Sequence, residues 1–305
     1  MSIGNRKKPQ KLCEISTFRK MRILHCYSTI SVVEFKGKEL LCMPTTYAHY
    51  RFGCDVLAAM PTDLREIVEK HRQLYDFGVH GPDLLFYDKP FSSTRINAIG
   101  YASHERTGAD FFAQAVKALK ASTQKEAALS YLLGVLCHFA LDRECHPYVA
   151  EKEQTGASHS EIESSFDRYL MEKDGLDPLR YKVTKHLIPS RSSALVIADF
   201  YPPLTAKEIY HTEKAMVFYL NGLIAPPGPK RKVILAGLKA VGHASTGDML
   251  IPLRQNPKCW DSDKILWGHY QDALKRIKTL RQELFAYIRD GSPLGLGFYH
   301  TFGAE

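Results

Sequence analysis

Apolar residues recur at three- and four-residue spacing through most of the chain, the interval that places them on one face of an α-helix. Tyr50 to Ala59 and Leu64 to Tyr75 both show it. Phe111, Phe112, Ala115, Val116 and Leu119 mark a further helix, opened by Thr107 with Asp110 three residues on. The clearest runs from Lys125 to Cys145, where Leu129, Leu132, Leu133, Leu136, Ala140 and Leu141 follow the capping-box spacing of Thr123-Gln124-Lys125-Glu126. Pro147 is expected to stop it, because the residue before a proline is disfavoured in the α region. Ser158-His159-Ser160-Glu161 repeats the capping box and opens a helix with Ile162, Phe166 and Leu170 on one face. After Gly175 the chain is less regular; Pro189, Pro202-Pro203 and Pro226-Pro227-Gly228-Pro229 leave room for short helices between them. A final amphipathic helix is expected over Asp263 to Arg289. Strand-like alternation is scarce and no repeat recurs, which predicts one all-α, multi-helix domain.

Charge changes the picture at one end. The 305 residues carry a net charge of +8, but residues 1–42 hold nine basic and three acidic residues and so account for +6. The body from Met43 onward is near neutral, which disfavours nucleic acid as a partner, because backbone neutralisation by Lys and Arg dominates that affinity. Residues 1–42 read as a basic extension, either a disordered tail or a mis-assigned start. Helical patterning begins just after Met43, and Lys36-Gly37-Lys38-Glu39 can be encoded by a purine run resembling a bacterial ribosome-binding site. A true start at Met43 and a domain over 43–305 are the expectation. The apolar stretch Ile23 to Ile30 is broken by polar residues and followed by no small-residue cleavage site, so no secretory signal is expected. No run reaches the roughly 18 apolar residues of a membrane span. Seven Cys with no Cys-x-x-Cys pair suit a reducing, cytoplasmic setting.

The histidines carry the chemistry. His138, Asp142 and His146 stand at i, i+4 and i+8, so all three project from one helix face. Such a row on an apolar helix is costly to bury without a charge to bind. Thirteen residues later His159 and Glu163 repeat the i, i+4 spacing. Imidazole and carboxylate donors in this pattern suit a divalent metal, zinc first. Upstream, the turn-forming Gly78-Val79-His80-Gly81-Pro82-Asp83 presents Asp83, while His49 and His104 flank helical patterns. Cys137 and Cys145 sit one position off the metal-facing row and read as core packing. Tyr47, Tyr50, Phe86 and Tyr87, the aromatics placed to stack bases, also read as packing.

The order His49, Gly81-Pro82-Asp83, His104, His138-x-x-x-Asp142, His146, His159-x-x-x-Glu163 resembles the zinc-dependent phospholipase C family, which shares its fold with single-strand-specific zinc nucleases. The resemblance covers about residues 43–172. It implies an all-helical domain with up to three zinc ions in a cleft. His104, His138 and Asp83 would hold one ion, Asp142 would bridge it to a second bound by His49, and His146, His159 and Glu163 would hold the third. His80 matches no family ligand, and His71, His186, His211, His243, His269 and His300 show no comparable pattern. In the family the amino group and carbonyl of a processed N-terminal tryptophan complete the zinc of the His49 counterpart. No tryptophan stands there in this chain; a start at Met43 with removal of the methionine would put Pro44 in that place.

Three zinc ions bring six positive charges against three from Asp83, Asp142 and Glu163, a cationic site suited to a phosphate ester. The resemblance implies phosphoester hydrolysis, with Asp83 orienting or deprotonating the attacking water. A phospholipid headgroup at a membrane surface is the first substrate candidate. A zinc nuclease-like phosphodiesterase is the alternative, and a non-catalytic zinc-binding helical domain is another. Structural zinc sites are closed and Cys-rich, whereas these ligands are His and carboxylate only.

Overall fold

The computed structural model describes residues 46–303. Eleven α-helices follow one another among the described residues: α1 Thr46–Ala58, α2 Thr62–Lys70, α3 Arg72–Gly78, α4 Arg95–Glu105, α5 Gly108–Ala121, α6 Lys125–Glu153, α7 His159–Lys173, α8 Arg191–Ala198, α9 Ala206–Leu223, α10 Pro229–Ala240 and α11 Trp260–Asp290. A short 3-10 helix, Gly81–Tyr87, joins α3 to the loop before α4. No strand forms among the described residues; Thr107 and Thr301 make one isolated bridge. The expected all-α architecture is what the chain adopts. No described helix is long and apolar enough to cross a membrane. The expected start at Met43 and the boundary at residue 42 lie outside the described residues.

The 29-residue α6 is the axis of the fold, about 43 Å long. It packs against α3 and α11 most extensively, then against α1, α5, α2 and α7. Leu132, Leu133, Val135, Leu136, Phe139, Ala140 and Leu141 are all buried, so neighbours surround this helix instead of leaving one side to water. Closest approach is at Gly78 and Gly134: a Cβ on Gly78 would lie 3.0 Å from Cα of Gly134. Only a hydrogen at both positions lets α3 lie against α6.

Three local expectations are corrected. Pro147 does not stop α6, which runs on to Glu153. An interior proline costs about 3 kcal/mol, but here the second half is held by tertiary contacts. Val149 is buried, Tyr148 lies against His269 with ring centroids 5.7 Å apart, and Lys152 pairs with Asp261 at 2.7 Å. The Thr123 capping box does not form; Gln124 is the N-cap and Glu126 instead pairs with Lys70 on α2. The pattern from Leu64 to Tyr75 is two helices, broken at His71, whose φ of −119° and ψ of 37° leave the helical region. The His71 carbonyl accepts the Leu74 and Tyr75 N–H groups at the start of α3 and also the Ser130 hydroxyl of α6 at 3.1 Å.

The capping box of Ser158 and Glu161 forms as expected, as does the Thr107 cap that accepts from the Asp110 N–H. Helix α11 exceeds its expected span by a few residues, and α9 is long rather than short. Helix α4 carries a reciprocal cap in which Asn97 replaces the usual Glu opposite Thr94.

Candidate metal centre

Four elements deliver side chains to the row on α6. Helix α1 supplies His49 and the Gly81–Tyr87 turn supplies Asp83. The end of α4 supplies His104, and the first turns of α7 supply His159 and Glu163. The turn needs Gly81: its φ is +47°, and its bare Cα faces the ring of His138. All eight candidates come together into three groups of potential ligands: His49, His138 and Asp142; Asp83, His104 and His138; His146, His159 and Glu163. Within each group the candidate ligand atoms all lie within 4.8 Å of one another.

Asp142 sits between two imidazoles. Its Oδ1 is 3.2 Å from Nε2 of His49 and its Oδ2 is 2.9 Å from Nε2 of His138. His146 also approaches it, with Nε2 3.9 Å from Oδ1. Nε2 of His104 lies 2.7 Å from Oδ1 of Asp83, whose Oδ2 is 3.7 Å from Nε2 of His138. Glu163 Oε1 lies 3.1 Å from Nε2 of His159 and 3.5 Å from Nε2 of His146. In each of these pairs Nε2 meets a carboxylate oxygen; His159 also turns its Nδ1 to Glu153 at 3.4 Å.

For two of the rings the other nitrogen explains that orientation. Nδ1 of His104 donates to the Gly100 carbonyl at 2.9 Å, and Nδ1 of His146 donates to the Phe302 carbonyl at 2.6 Å. A carbonyl only accepts, so Nδ1 must carry a proton, and loss of the other proton would leave an Nε2 lone pair turned toward the cluster. Buried Asp83 Oδ2 and Glu163 Oε2 have no hydrogen-bond partner among the described residues, and His138 Nε2 and Asp142 Oδ2, 2.9 Å apart, face each other outside good hydrogen-bond geometry. Each such atom costs about 1–3 kcal/mol if left alone. Grouped around shared spaces, they form a donor set that fits a divalent cation of the zinc type: nitrogen and oxygen, no sulfur.

Electrostatics agree. Burial acts to raise the Asp142 carboxyl, but the fields of His138, His146 and His49 outweigh it and hold it well below the usual range. Glu163 is likewise held down at about 2 by His159 and His146 against the cost of burial. Burial disfavours protonated His146, yet Asp142 and Glu163 push it up to about 9. His49 and His104 are raised against burial in the same way, by Asp142 and by Asp83. Protons hold this cluster together by charge, and a divalent cation would replace them in that role.

Sequence reading missed several supporting groups. Asp167 continues the α7 row as the i+8 partner of His159, and that spacing was its only signal. It is buried and accepts the N–H groups of Tyr47 and Ala48 at 3.0 and 2.8 Å, fixing the start of α1 just before His49. Burial pushes its carboxyl up to about 7 despite those bonds. The Phe302 carbonyl that orients His146 lies 156 residues away in sequence, beyond any local signal. His186 is not an ordinary surface histidine. It is buried, meets His80 with Nε2 atoms 2.8 Å apart, and stacks on Tyr50 at 3.9 Å. Cys137 and Cys145 are buried off the ligand row, and Tyr47, Phe86 and Tyr87 pack inside, as expected.

Beside the third group a groove runs between α7, α9 and the segments around Tyr181 and Ile251. Thr46, Glu163 and Asp167 stand at one wall, Leu179, Leu220 and Ile224 at others, with Arg231 among them. Residues from the irregular 180–260 stretch therefore shape this opening.

The family model for zinc dependent phospholipase C matches residues 48–215, more than half of the chain and the whole span that contains the eight residues above. No curated protein and no solved structure matches the chain. With the helical fold and three His-carboxylate groups inside the matched span, the chain belongs to the zinc dependent phospholipase C family.

Proposed function

We propose that His49, Asp83, His104, His138, Asp142, His146, His159 and Glu163 bind zinc, up to three ions, and that residues 43–305 form a phosphoester hydrolase. The observation that carries this reading is the sharing of residues between groups. His138 belongs to two of them, and Asp142 touches imidazoles from both α1 and α6, as a bridging carboxylate must. Neighbouring cations are what two-metal phosphodiesterases use to hold an anionic ester. Zinc bound there would acidify water and polarise a phosphoryl oxygen.

The protein's own groups would do the rest. Asp83 is the proton acceptor: His104 holds its Oδ1, while Oδ2 is buried and without a hydrogen-bond partner among the described residues. Carbonyl groups of Gly100 and Phe302 keep two imidazoles from rotating, so the ligand set is preorganised. The apolar walls of the groove beside Glu163 support a phospholipid over a compact, wholly polar ester.

The test is zinc content of the purified full chain by plasma mass spectrometry, followed by hydrolysis assays on phosphatidylcholine, a water-soluble bis(aryl) phosphate and single-stranded DNA. Zinc bound to all three groups with cleavage of phosphatidylcholine is the expected result. Zinc-loaded protein that cleaves only DNA would transfer the reading to the nuclease branch. Zinc-loaded protein that cleaves none of the three would leave a non-catalytic zinc domain.

A further inference from the structure

Helix α10 contributes no buried residue, and its exposed chemistry is one-sided. From Lys214 to Gly247 the chain holds five basic residues, Lys214, Lys230, Arg231, Lys232 and Lys239, and no acidic one. Arg231, Ile234 and Leu238 share the face turned toward the protein. Lys232 and Lys239 share the opposite face with Ala236, edged by Val233, 71% exposed, and Leu235, 40% exposed. Beyond the helix Val241 is 65% exposed.

An aromatic ridge adjoins it. Phe218 on α9, 72% exposed, meets Tyr219 at 5.3 Å between ring centroids, Tyr219 meets Phe91 at 6.4 Å, and Phe91 meets His243 at 5.1 Å. His243 is two residues past Val241, so the ridge reaches the end of α10. The same two helices also line the groove described above, through Arg231 on α10 and Leu220 and Leu223 on α9, from faces other than those that carry Lys232, Lys239 and Phe218. The nearest acid along the chain, Asp248, is engaged by the Ser158 hydroxyl at 2.9 Å.

We propose that α10 and the ridge of Phe218, Phe91 and Val241 form a docking surface for an anionic lipid bilayer. Lysines interleaved with exposed aliphatic side chains match negative headgroups above an acyl boundary, and exposed aromatic rings suit the same depth. Nucleic acid would call for base-stacking rings within the basic stripe, and α10 carries none. Residues 1–42, with their net charge of +6, do not complement a basic face. The surface rests on the hydrolase reading for its purpose: docking there would hold the protein at the bilayer that carries its substrate.

The experiment uses the full chain, with the double variant Lys232→Glu/Lys239→Glu and the single variant Val233→Asp. All these side chains are exposed and outside the groove lining, so folding and basal activity should be retained. Co-sedimentation is measured with vesicles of phosphatidylcholine alone and of phosphatidylcholine mixed with phosphatidylserine, at low and high salt. Hydrolysis of a soluble bis(aryl) phosphate is followed in parallel. The expected result is salt-sensitive binding to the mixed vesicles, weakened about tenfold or more by the double variant, with soluble-ester turnover unchanged. Equal binding by wild type and variants overturns the surface, as does binding of single-stranded DNA but not of vesicles. Vesicle binding without hydrolysis of any ester sustains the surface and refutes the hydrolase reading. Hydrolysis of the soluble ester without vesicle binding does the reverse.

Discussion

Replacing Gly81 by alanine tests whether the turn is shaped around the metal-facing histidine. A Cβ at this position would lie 2.8 Å from Cγ and 3.0 Å from Nε2 of His138, with Cδ2 nearer still. Non-bonded carbons prefer about 3.5–4.0 Å, so the ring must retreat by about 1 Å. It has little room. His138 is fully buried, the His49 ring lies 4.4 Å away, and the Phe302 ring lies 5.8 Å away. The φ of +47° adds about 1–2 kcal/mol for a residue with a side chain, and the forced displacement adds about 1–3 kcal/mol. Gly175→Ala is the matched control, since its φ is +70° but nothing lies within 4 Å of the added methyl. It should carry the backbone cost alone. Chemical denaturation of the chelator-treated proteins measures stability, and mass spectrometry measures zinc retained after reconstitution. Gly81→Ala should be the less stable by about 1–3 kcal/mol, and should lose the zinc of both groups containing His138 while the His146, His159, Glu163 group keeps its own. Equal unfolding of the two variants, with full zinc in Gly81→Ala, would refute the reasoning.

Asp142→Asn keeps the shape but removes a negative charge between His49 and His138, so two zinc ions should be lost together; full metal content in this variant would break the bridging assignment. Asp167→Ala removes the acceptor for the first N–H groups of α1 and should cost about 0.5–2 kcal/mol, with weaker zinc binding at His49 read by competitive chelator titration. Glu213 is buried on α9, where it accepts the Ser190 N–H and the Ser193 hydroxyl, and burial pushes its carboxyl up to about 7. With its folded value above its unfolded one, the neutral form is favoured by folding. Stability contributed at acid pH is therefore lost as pH rises from about 4.5 to about 7, by roughly 3 kcal/mol. Glu213→Gln should flatten that decline in denaturation curves taken across the same range; an unchanged slope would show that Glu213 does not titrate there.

Much of this protein was legible along the chain because its signals are local. Helical periodicity needs only the 3.6-residue repeat, and the Ser158 and Thr107 caps need only residues three apart. The row His138, Asp142, His146 is likewise a property of one helix, so its metal-binding character could be read without knowing what faces it. Resemblance then added His49, Asp83 and His104, whose weak local patterns could not place them beside α6.

What the sequence left open depended on contacts between distant segments. Pro147 carries a real local penalty, yet α6 continues because packing of Val149 and the pair of Lys152 with Asp261 hold its second half. The apolar pattern across His71 is continuous, yet two helices meet there, and the His71 carbonyl that starts α3 also takes the Ser130 hydroxyl of α6. Asp167 secures α1 across 119 residues, and Phe302 orients His146 across 156. Residue types and their spacing thus determined the helices and the central ligand row, since backbone geometry alone puts i, i+4 and i+8 on one face. Only the tertiary structure decided which imidazole nitrogen turns inward and which carboxylate stands between two rings, because those choices are made by hydrogen bonds and packing between elements far apart in the chain.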